Sequence, residues 1–186
     1  MLYVVDRVTG LTYLRNIMYV VCDESSTIRL YNTDTLSRLD LVINVTGMRQ
    51  PRDIVICRHD RQLYVAEYDY NNMDGCIWRV SADDHSYVKW LTQSSTDTFH
   101  VNRLSVTSRR LLVTSSQPAT IRQYSTTNKE LLCVVQMPQY VKYLHHAVET
   151  THDTFVISHC GTSQDKWWQM QWAVSELFRF CHVLQH

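Results

Sequence analysis

The chain has 186 residues, of which 45% are hydrophobic and 11% aromatic, so it holds enough apolar material for a folded core. It carries 18 basic and 18 acidic residues, and this zero net charge gives no overall field that favours nucleic acid or an anionic membrane. No stretch reaches the roughly 20 apolar residues of a membrane-spanning helix, and residues 1–6 lack the pattern of a secretory signal peptide.

A four-part pattern runs along the chain and is clearest between residues 51 and 93. Four short apolar runs are separated there by polar turn segments, and the runs are residues 54–57, 63–66, 76–80 and 87–91. Short β-type runs of this kind, bounded by turn residues, predict a four-stranded antiparallel meander.

The same pattern recurs before and after this segment. The second run reappears at residues 18–21, 63–66, 111–114 and 155–158, with spacings of 45, 48 and 44 residues. Repetition at this length predicts a β-propeller, an all-β fold of about four four-stranded antiparallel blades. A β-sandwich also has strands at short regular intervals, and it is the alternative fold.

We expect a single propeller-like domain over residues 1–186, with blades at approximately 1–46, 51–93, 101–137 and 143–186. Both ends depart from the repeat. In the last blade, residues 166–175 are expected to form the third strand. Residues 177–184 would then be the fourth, but residues 173–184 also carry apolar residues at helical spacing, so the structure of about the last ten residues is left open. About four blades is the lower limit for a propeller. We therefore expect the chain to be part of a larger ring, and an incomplete ring exposes apolar surface that promotes self-association.

The segment from residue 51 to residue 80 resembles an NHL repeat. The motifs that carry the resemblance are PRDIVI from Pro51, LYVAE from Leu63 and IWRV from Ile77, although Asp53 and Glu67 replace the glycine and aspartate of the family pattern. Related six-bladed propellers of the lactonase and YWTD types share similar patterns. The resemblance implies a six-bladed ring that serves mostly as a platform for protein or RNA interaction.

Six polar or charged residues are candidates for a binding site at the mouth of the propeller. Counting back from the aligned runs places Asp53, Arg103 and His145 at equivalent positions, in the loops that lead into the first strand of each blade. Their neighbours are Arg52, Asn102 and His146. Such side chains form a polar funnel for a peptide or small ligand. The alternative is that these loops are polar because they are solvated.

No motif for nucleophilic catalysis or phosphate binding is present in the sequence. The paired histidines His145 and His146 are adjacent, so a strand would point them to opposite faces, and we expect no metal site and no cofactor.

The predicted function is a non-catalytic protein-interaction module with a protein or peptide partner and no nucleic acid. One alternative is a metal-dependent hydrolase of the lactonase or esterase type, for which the resemblance implies a calcium or zinc ion, with oxygens available from Asp53, Glu67 and Asn102. A second alternative is an RNA-binding NHL-type propeller.

The six cysteines include no C-x-x-C pair and fall in or beside apolar runs. Six buried reduced thiols are expected rather than three disulfides, and a cytoplasmic location is favoured.

Overall fold

The computed structural model of the chain describes residues 7–69, 74–92, 99–116, 118–141, 143–151, 154–160 and 173–179. These residues form β-strands joined by turns, and none of them belongs to a helix that could cross a membrane. The chain divides into two compact units, Met1–Thr92 and Gln93–His186.

The first unit contains two four-stranded antiparallel sheets, each with its strands in chain order. The first sheet consists of β1 (Val8–Leu14), β2 (Ile17–Cys22), β3 (Thr27–Asn32) and β4 (Arg38–Asn44). The second sheet consists of β5 (Pro51–Cys57), β6 (Gln62–Asp69), β7 (Asp74–Ser81) and β8 (Tyr87–Thr92).

The second unit contains a four-stranded sheet and a sheet of which three strands are described. The third sheet consists of β9 (Arg103–Thr107), β10 (Arg110–Ser116), β11 (Ala119–Ser125) and β12 (Leu131–Gln136). The fourth sheet consists of β13 (Tyr143–Thr151), β14 (Thr154–Cys160) and β15 (Ala173–Arg179). Every pairing among these fifteen described strands is antiparallel.

The predicted all-β architecture is confirmed by these sheets. The four aligned second runs lie in β2, β6, β10 and β14, which are the second strands of four separate sheets. The expected strand at residues 166–175 is only partly described, since residues 166–172 lie outside the described ranges. Residues 177–179, which the sequence leaves open between a fourth strand and a helix, belong to β15, the third strand, which pairs with β14. The helical alternative for residues 173–179 is excluded by the same pairing.

The turn between the third and fourth strands repeats in atomic detail in the first three sheets. Asn32 Oδ1, Ser81 Oγ and Ser125 Oγ each accept hydrogen bonds from two backbone N–H groups of their own turn. Each turn also contains one residue with positive φ, and these residues are Leu36 (54°), His85 (61°) and Lys129 (65°). Short polar side chains that bond their own backbone stabilise such turns, so the repeat extends to the loops as well as the strands.

The core of the first unit lies between its two sheets. Alternate residues of β2, such as Tyr19 and Val21, pack with Ile54 and Ile56 of β5 in one buried cluster, as expected when successive side chains of a strand point to opposite faces. Strands β1 and β5 approach closely at Gly10, where an added Cβ would lie 2.8 Å from the backbone nitrogen of Ile54. Only glycine allows two backbones to come so near.

The core of the second unit lies between the third and fourth sheets. Leu112 of β10 and Ile121 of β11 pack there with Leu144, Ala147 and Phe155 from β13 and β14. The end of this interface at which β9 and β13 begin carries four of the six polar residues that sequence analysis selected.

Candidate functional site

The six predicted site residues lie in or directly before the first strands of their sheets. Arg52 and Asp53 belong to β5, Asn102 precedes β9, Arg103 begins β9, and the two histidines belong to β13; they are His145 and His146. Five of the six are therefore strand residues, whereas the sequence predicted that they lie in the preceding loops.

Strand register corrects one of the predicted equivalences. Asp53 pairs with Ala66 and Arg103 pairs with Thr114, which are the fourth residues of two aligned second runs. In the fourth sheet the corresponding residue, Ser158, pairs with His146, and the register shifts between Leu144 and His146. The residue equivalent to Asp53 and Arg103 is therefore His146, because His145 is the extra residue of this irregularity.

Arg52 and Asp53 lie in the first unit, where Asp53 has local structural contacts. Its Oδ1 accepts a hydrogen bond of 3.0 Å from the backbone nitrogen of Ile54, and its Cα lies against Gly10 of β1. Nearby, the hydroxyl of Thr9 donates a 2.8 Å hydrogen bond to the carbonyl of Pro51. The Thr9 hydrogen bond and the close approach at Gly10 fasten β1 to β5.

The other four predicted residues lie together in the second unit, where β9 and β13 meet. Asn102 Nδ2 donates a 3.2 Å hydrogen bond to the carbonyl of Leu144. His146 Nε2 lies 3.0 Å from the carbonyl of Leu104 and, because a carbonyl only accepts, this nitrogen carries the proton. Asn102 and His146 thus hold the two strands together.

Thr114 of β10 links Arg103 and His145 through their backbones. Its hydroxyl accepts a 3.2 Å hydrogen bond from the Arg103 backbone nitrogen and also lies 3.2 Å from the Arg103 carbonyl and 3.4 Å from the His145 carbonyl. This buried hydroxyl fixes the backbone of both residues, so their half-buried side chains start from well-defined positions.

Three basic residues lie at this end of the second unit, and we call Arg103, His145 and His159 the cationic cluster. Burial lowers the pKa of His145 below its ordinary value of 6.5, and electrostatic interactions with Arg103 and His159 lower it further. Burial disfavours the charged imidazolium, and like charges nearby do the same. His159 is not among the site residues selected from the sequence, because its position beside β13 depends on the pairing of β13 with β14.

The acidic residue of β13 has partners of its own. Glu149 is 8% exposed, and its carboxylate lies 3.4 Å from Arg110 Nη1 and accepts a 3.2 Å hydrogen bond from Gln123 Nε2. The ion pair with Arg110 ties β13 to β10, and the hydrogen bond from Gln123 ties it to β11. Neither of the charged groups that shift the pKa of His145 is acidic.

Glu67, which the resemblance offered as a metal ligand, is a structural carboxylate in the first unit. Its two oxygens accept hydrogen bonds from two backbone nitrogens, a thiol and an indole, those of Arg49, Gln50, Cys76 and Trp78. Within the described ranges, no three His, Cys, Asp or Glu side chains are grouped closely enough to hold a metal ion.

One Cys–Asp–His arrangement resembles a catalytic group but lacks the activation that such a group needs. Cys57 Sγ lies 3.5 Å from Asp60 Oδ2, and the other oxygen of Asp60 lies 2.6 Å from His59 Nδ1. Burial raises the pKa of the Cys57 thiol, whereas a nucleophilic cysteine requires a lowered pKa and a neighbouring base. The four cysteines whose side chains are described, Cys22, Cys57, Cys76 and Cys133, are free thiols.

An exposed apolar row lies along β1. Val8, Leu11 and Tyr13 are each more than half exposed, and Leu11 and Tyr13 are two residues apart and so share one face of the strand. The predicted self-association remains a prediction, and these side chains are where it can be tested.

The fold is similar to that of solved β-propeller structures. The computationally designed protein Ika4 matches with a TM-score of 0.63 at 14% identity, over 85% of this chain and 89% of that chain. A chain from a nidogen/laminin complex matches with a TM-score of 0.62 at 15% identity, over 81% of this chain and 54% of that chain. The designed protein Ika8 matches with a TM-score of 0.58 at 12% identity, over 81% of this chain and 42% of that chain. At these identities the similarity establishes the propeller-type fold, and this chain spans about half of the nidogen/laminin chain and of Ika8.

No family model matches the sequence, and no curated protein matches it. The resemblance to NHL repeats therefore remains a prediction, while the broader assignment to propeller-type folds stands.

Proposed function

We propose that this chain is a non-catalytic protein-interaction module and that it binds an acidic segment of a partner protein at the cationic cluster. The observation that carries the proposal is the position of Arg103, His145 and His159. The Thr114 hydroxyl lies 3.2 Å from the Arg103 carbonyl and 3.4 Å from the His145 carbonyl, and His159 lies on β14, the strand that pairs with β13. Basic groups held close together at a partly exposed site attract a negatively charged partner.

Two further observations support a binding role. Asn102, Thr114 and His146 hold the backbone on which the cluster is built, and a binding site gains affinity when its groups are positioned before the partner arrives. One structurally similar chain comes from a complex of two proteins, nidogen and laminin. We extend the proposal to an NHL-like ring, because the motifs at Pro51, Leu63 and Ile77 resemble that family.

The test compares partner recovery by the native chain with recovery by the Arg103→Glu variant. Charge reversal should weaken binding by about 1–3 kcal/mol, because a charge-assisted hydrogen bond is lost and like charges then face each other. Arg109→Glu is the matched control, since it makes the same charge change at an exposed position in the turn that ends β9.

Recovery of every partner to the same extent by native chain and Arg103→Glu would remove the cationic cluster as the site. Esterase activity that requires added calcium or zinc would replace the proposal with the metal-dependent hydrolase. Thermal melts of both variants confirm that neither substitution unfolds the chain.

A further inference from the structure

We propose that an extended segment of a partner protein, with apolar residues next to acidic ones, docks on a surface of the first unit made of Leu11, Tyr13, Arg15 and Arg58. We call these four residues the β1 docking surface. It goes beyond the proposed function, because it lies wholly within the first unit and shares no residue with the cationic cluster.

Leu11 and Tyr13 give β1 an exposed apolar face. They are 59% and 53% exposed and two residues apart, so their side chains point to the same side of the strand. Among the strands that the structure describes, β1 is an end strand of its sheet, with β2 as a partner on one side only. An extended peptide presents its side chains at the same two-residue spacing and can lie along an end strand. An extended segment therefore fits this face.

Arg58 adds a positive charge to the face. Its guanidinium carbon lies 5.0 Å from the centre of the Tyr13 ring, and the residue belongs to the exposed part of the turn between β5 and β6. A guanidinium over an aromatic ring is held by the cation–π attraction and keeps N–H groups for a carboxylate. Tyr13 thus offers apolar contact and also positions a cation beside it.

A second arginine lies at the same end of β1. Arg15 is exposed and follows the last residue of β1, in the turn to β2. Neither Arg15 nor Arg58 forms an ion pair with another residue that the structure describes. Asp60, two residues after Arg58, lies instead 2.6 Å from His59 Nδ1. The apolar face therefore ends at two positive charges that an acidic residue of a partner can neutralise.

These charges decide between the possible occupants. A second copy that docked through its own β1 docking surface would bring two more arginines to the contact, and like charges oppose association. A phosphate backbone would neutralise the arginines but leave Leu11 and Tyr13 without apolar contact. An acidic and apolar protein segment satisfies both parts of the surface. The self-association that we predict for the apolar row therefore competes with binding of this segment.

The experiment measures the affinity of the full chain for fluorescein-labelled octapeptides by fluorescence anisotropy. The octapeptide TVTVTETE places its valines and glutamates on one face of an extended strand, and the reversed ETETVTVT covers the opposite strand direction. Their counterparts TVTVTQTQ and QTQTVTVT carry uncharged glutamine. At least one acidic octapeptide should bind several-fold more tightly than its glutamine counterpart, and added salt should reduce the difference.

Two variants separate the charged contact from the apolar one. Arg58→Gln should weaken binding of the acidic octapeptide by about two- to fivefold, as expected for an exposed ion pair, with little effect on the glutamine octapeptide. Leu11→Ser should weaken binding of both. Arg38→Gln is the matched control, because it removes an exposed arginine from β4 of the same unit and should bind as the native chain does. Circular dichroism confirms that each variant is folded.

Failure of the native chain to bind either acidic octapeptide, or equal binding by the native chain and Arg58→Gln, would overturn the proposal. Loss of octapeptide binding in Arg103→Glu would assign the octapeptide to the cationic cluster instead. Tighter binding of oligouridylate than of the acidic octapeptides would overturn the chemistry of the partner. In analytical ultracentrifugation, saturating acidic octapeptide should reduce the self-associated fraction, and a fraction that it does not reduce would make a second copy the occupant.

Discussion

The indole nitrogen of Trp78 donates a 2.6 Å hydrogen bond to Oε2 of Glu67, a residue that is only 5% exposed. The other oxygen of Glu67 accepts a 2.5 Å hydrogen bond from the backbone nitrogen of Arg49, in the segment that leads into β5. One carboxylate thus joins β6, β7 and the connection between the two sheets of the first unit. A buried charge of this kind is tolerated because several donors replace the water that it has lost.

Replacing Glu67 with glutamine should destabilise the chain although the shape of the side chain is retained. The amide offers one acceptor oxygen in place of two and turns an N–H group towards other donors, and each stranded buried donor costs about 1–3 kcal/mol. Urea unfolding followed by circular dichroism should show a lower midpoint for Glu67→Gln. The exposed Glu24→Gln should unfold as the native chain does, and equal midpoints for the two variants would contradict this role.

The strands were predictable because their signals are local. Apolar runs bounded by polar turns identify β2, β6 and β10. Each turn between the third and fourth strands is stabilised by hydrogen bonds among its own residues, which are accepted by Asn32, Ser81 and Ser125. Pairing between strands depends instead on residues that are distant in the chain.

The site was predictable only in part, because it depends on strand pairing between residues that are distant in the chain. Residue types pointed to Arg103 and His145. The register shift beside His145 could not be recognised from the distance between repeats along the sequence, because one extra residue falls within the normal variation of the repeat length. The approach of His159 and the network of Glu67 arise from pairing and packing. At β15, adjacent apolar segments allowed several strand positions, and pairing with β14 selected Ala173–Arg179.

Replacing Gly10 with alanine should loosen the contact between β1 and β5. The added Cβ would lie 2.8 Å from the nitrogen of Ile54 and 2.9 Å from the Cα of Asp53. Both neighbours are backbone atoms, so a strand must move, and overpacking of this kind costs about 1–3 kcal/mol. The thermal unfolding midpoint should fall for Gly10→Ala and stay near that of the native chain for Ser26→Ala, an exposed position of the same unit. A Gly10→Ala protein as stable as the native chain would show that the strands do not approach so closely.

Cys57 should resist alkylation in the folded chain. Burial raises the pKa of its thiol, and the thiolate is the form that reacts with iodoacetamide. Cys133 is less buried and should react first among the four thiols that are described. Mass spectrometry of peptides after timed alkylation measures both rates, and urea should make them similar. Equal rates without urea would be inconsistent with a buried Cys57.

The apolar row on β1 should contribute to the predicted self-association of the chain. Leu11 is 59% exposed, so replacing it with serine removes apolar surface without disturbing the buried cluster of the first unit. Analytical ultracentrifugation should show a smaller associated fraction for Leu11→Ser than for the native chain. The matched change Leu36→Ser removes a similarly exposed leucine from a turn and should have no such effect. An associated fraction that is unchanged by Leu11→Ser would exclude this row as the contact.

Acidification should destabilise the second unit through His145. In the folded chain its pKa lies below the ordinary value of 6.5, because of burial first and then of Arg103 and His159. As the pH falls through about 6.5, the unfolded chain therefore binds a proton that the folded chain does not, and the free energy of unfolding decreases. Well above this range the imidazole is neutral in both states and the effect vanishes.

Urea midpoints at about pH 5.5 and about pH 7.5 should differ less for His145→Gln than for the native chain, since glutamine does not titrate. Carboxylates titrate at lower pH and contribute equally to both proteins, so the difference between the two curves isolates His145. An identical pH dependence for the native chain and His145→Gln would show that this imidazole is not held in its neutral form by its surroundings.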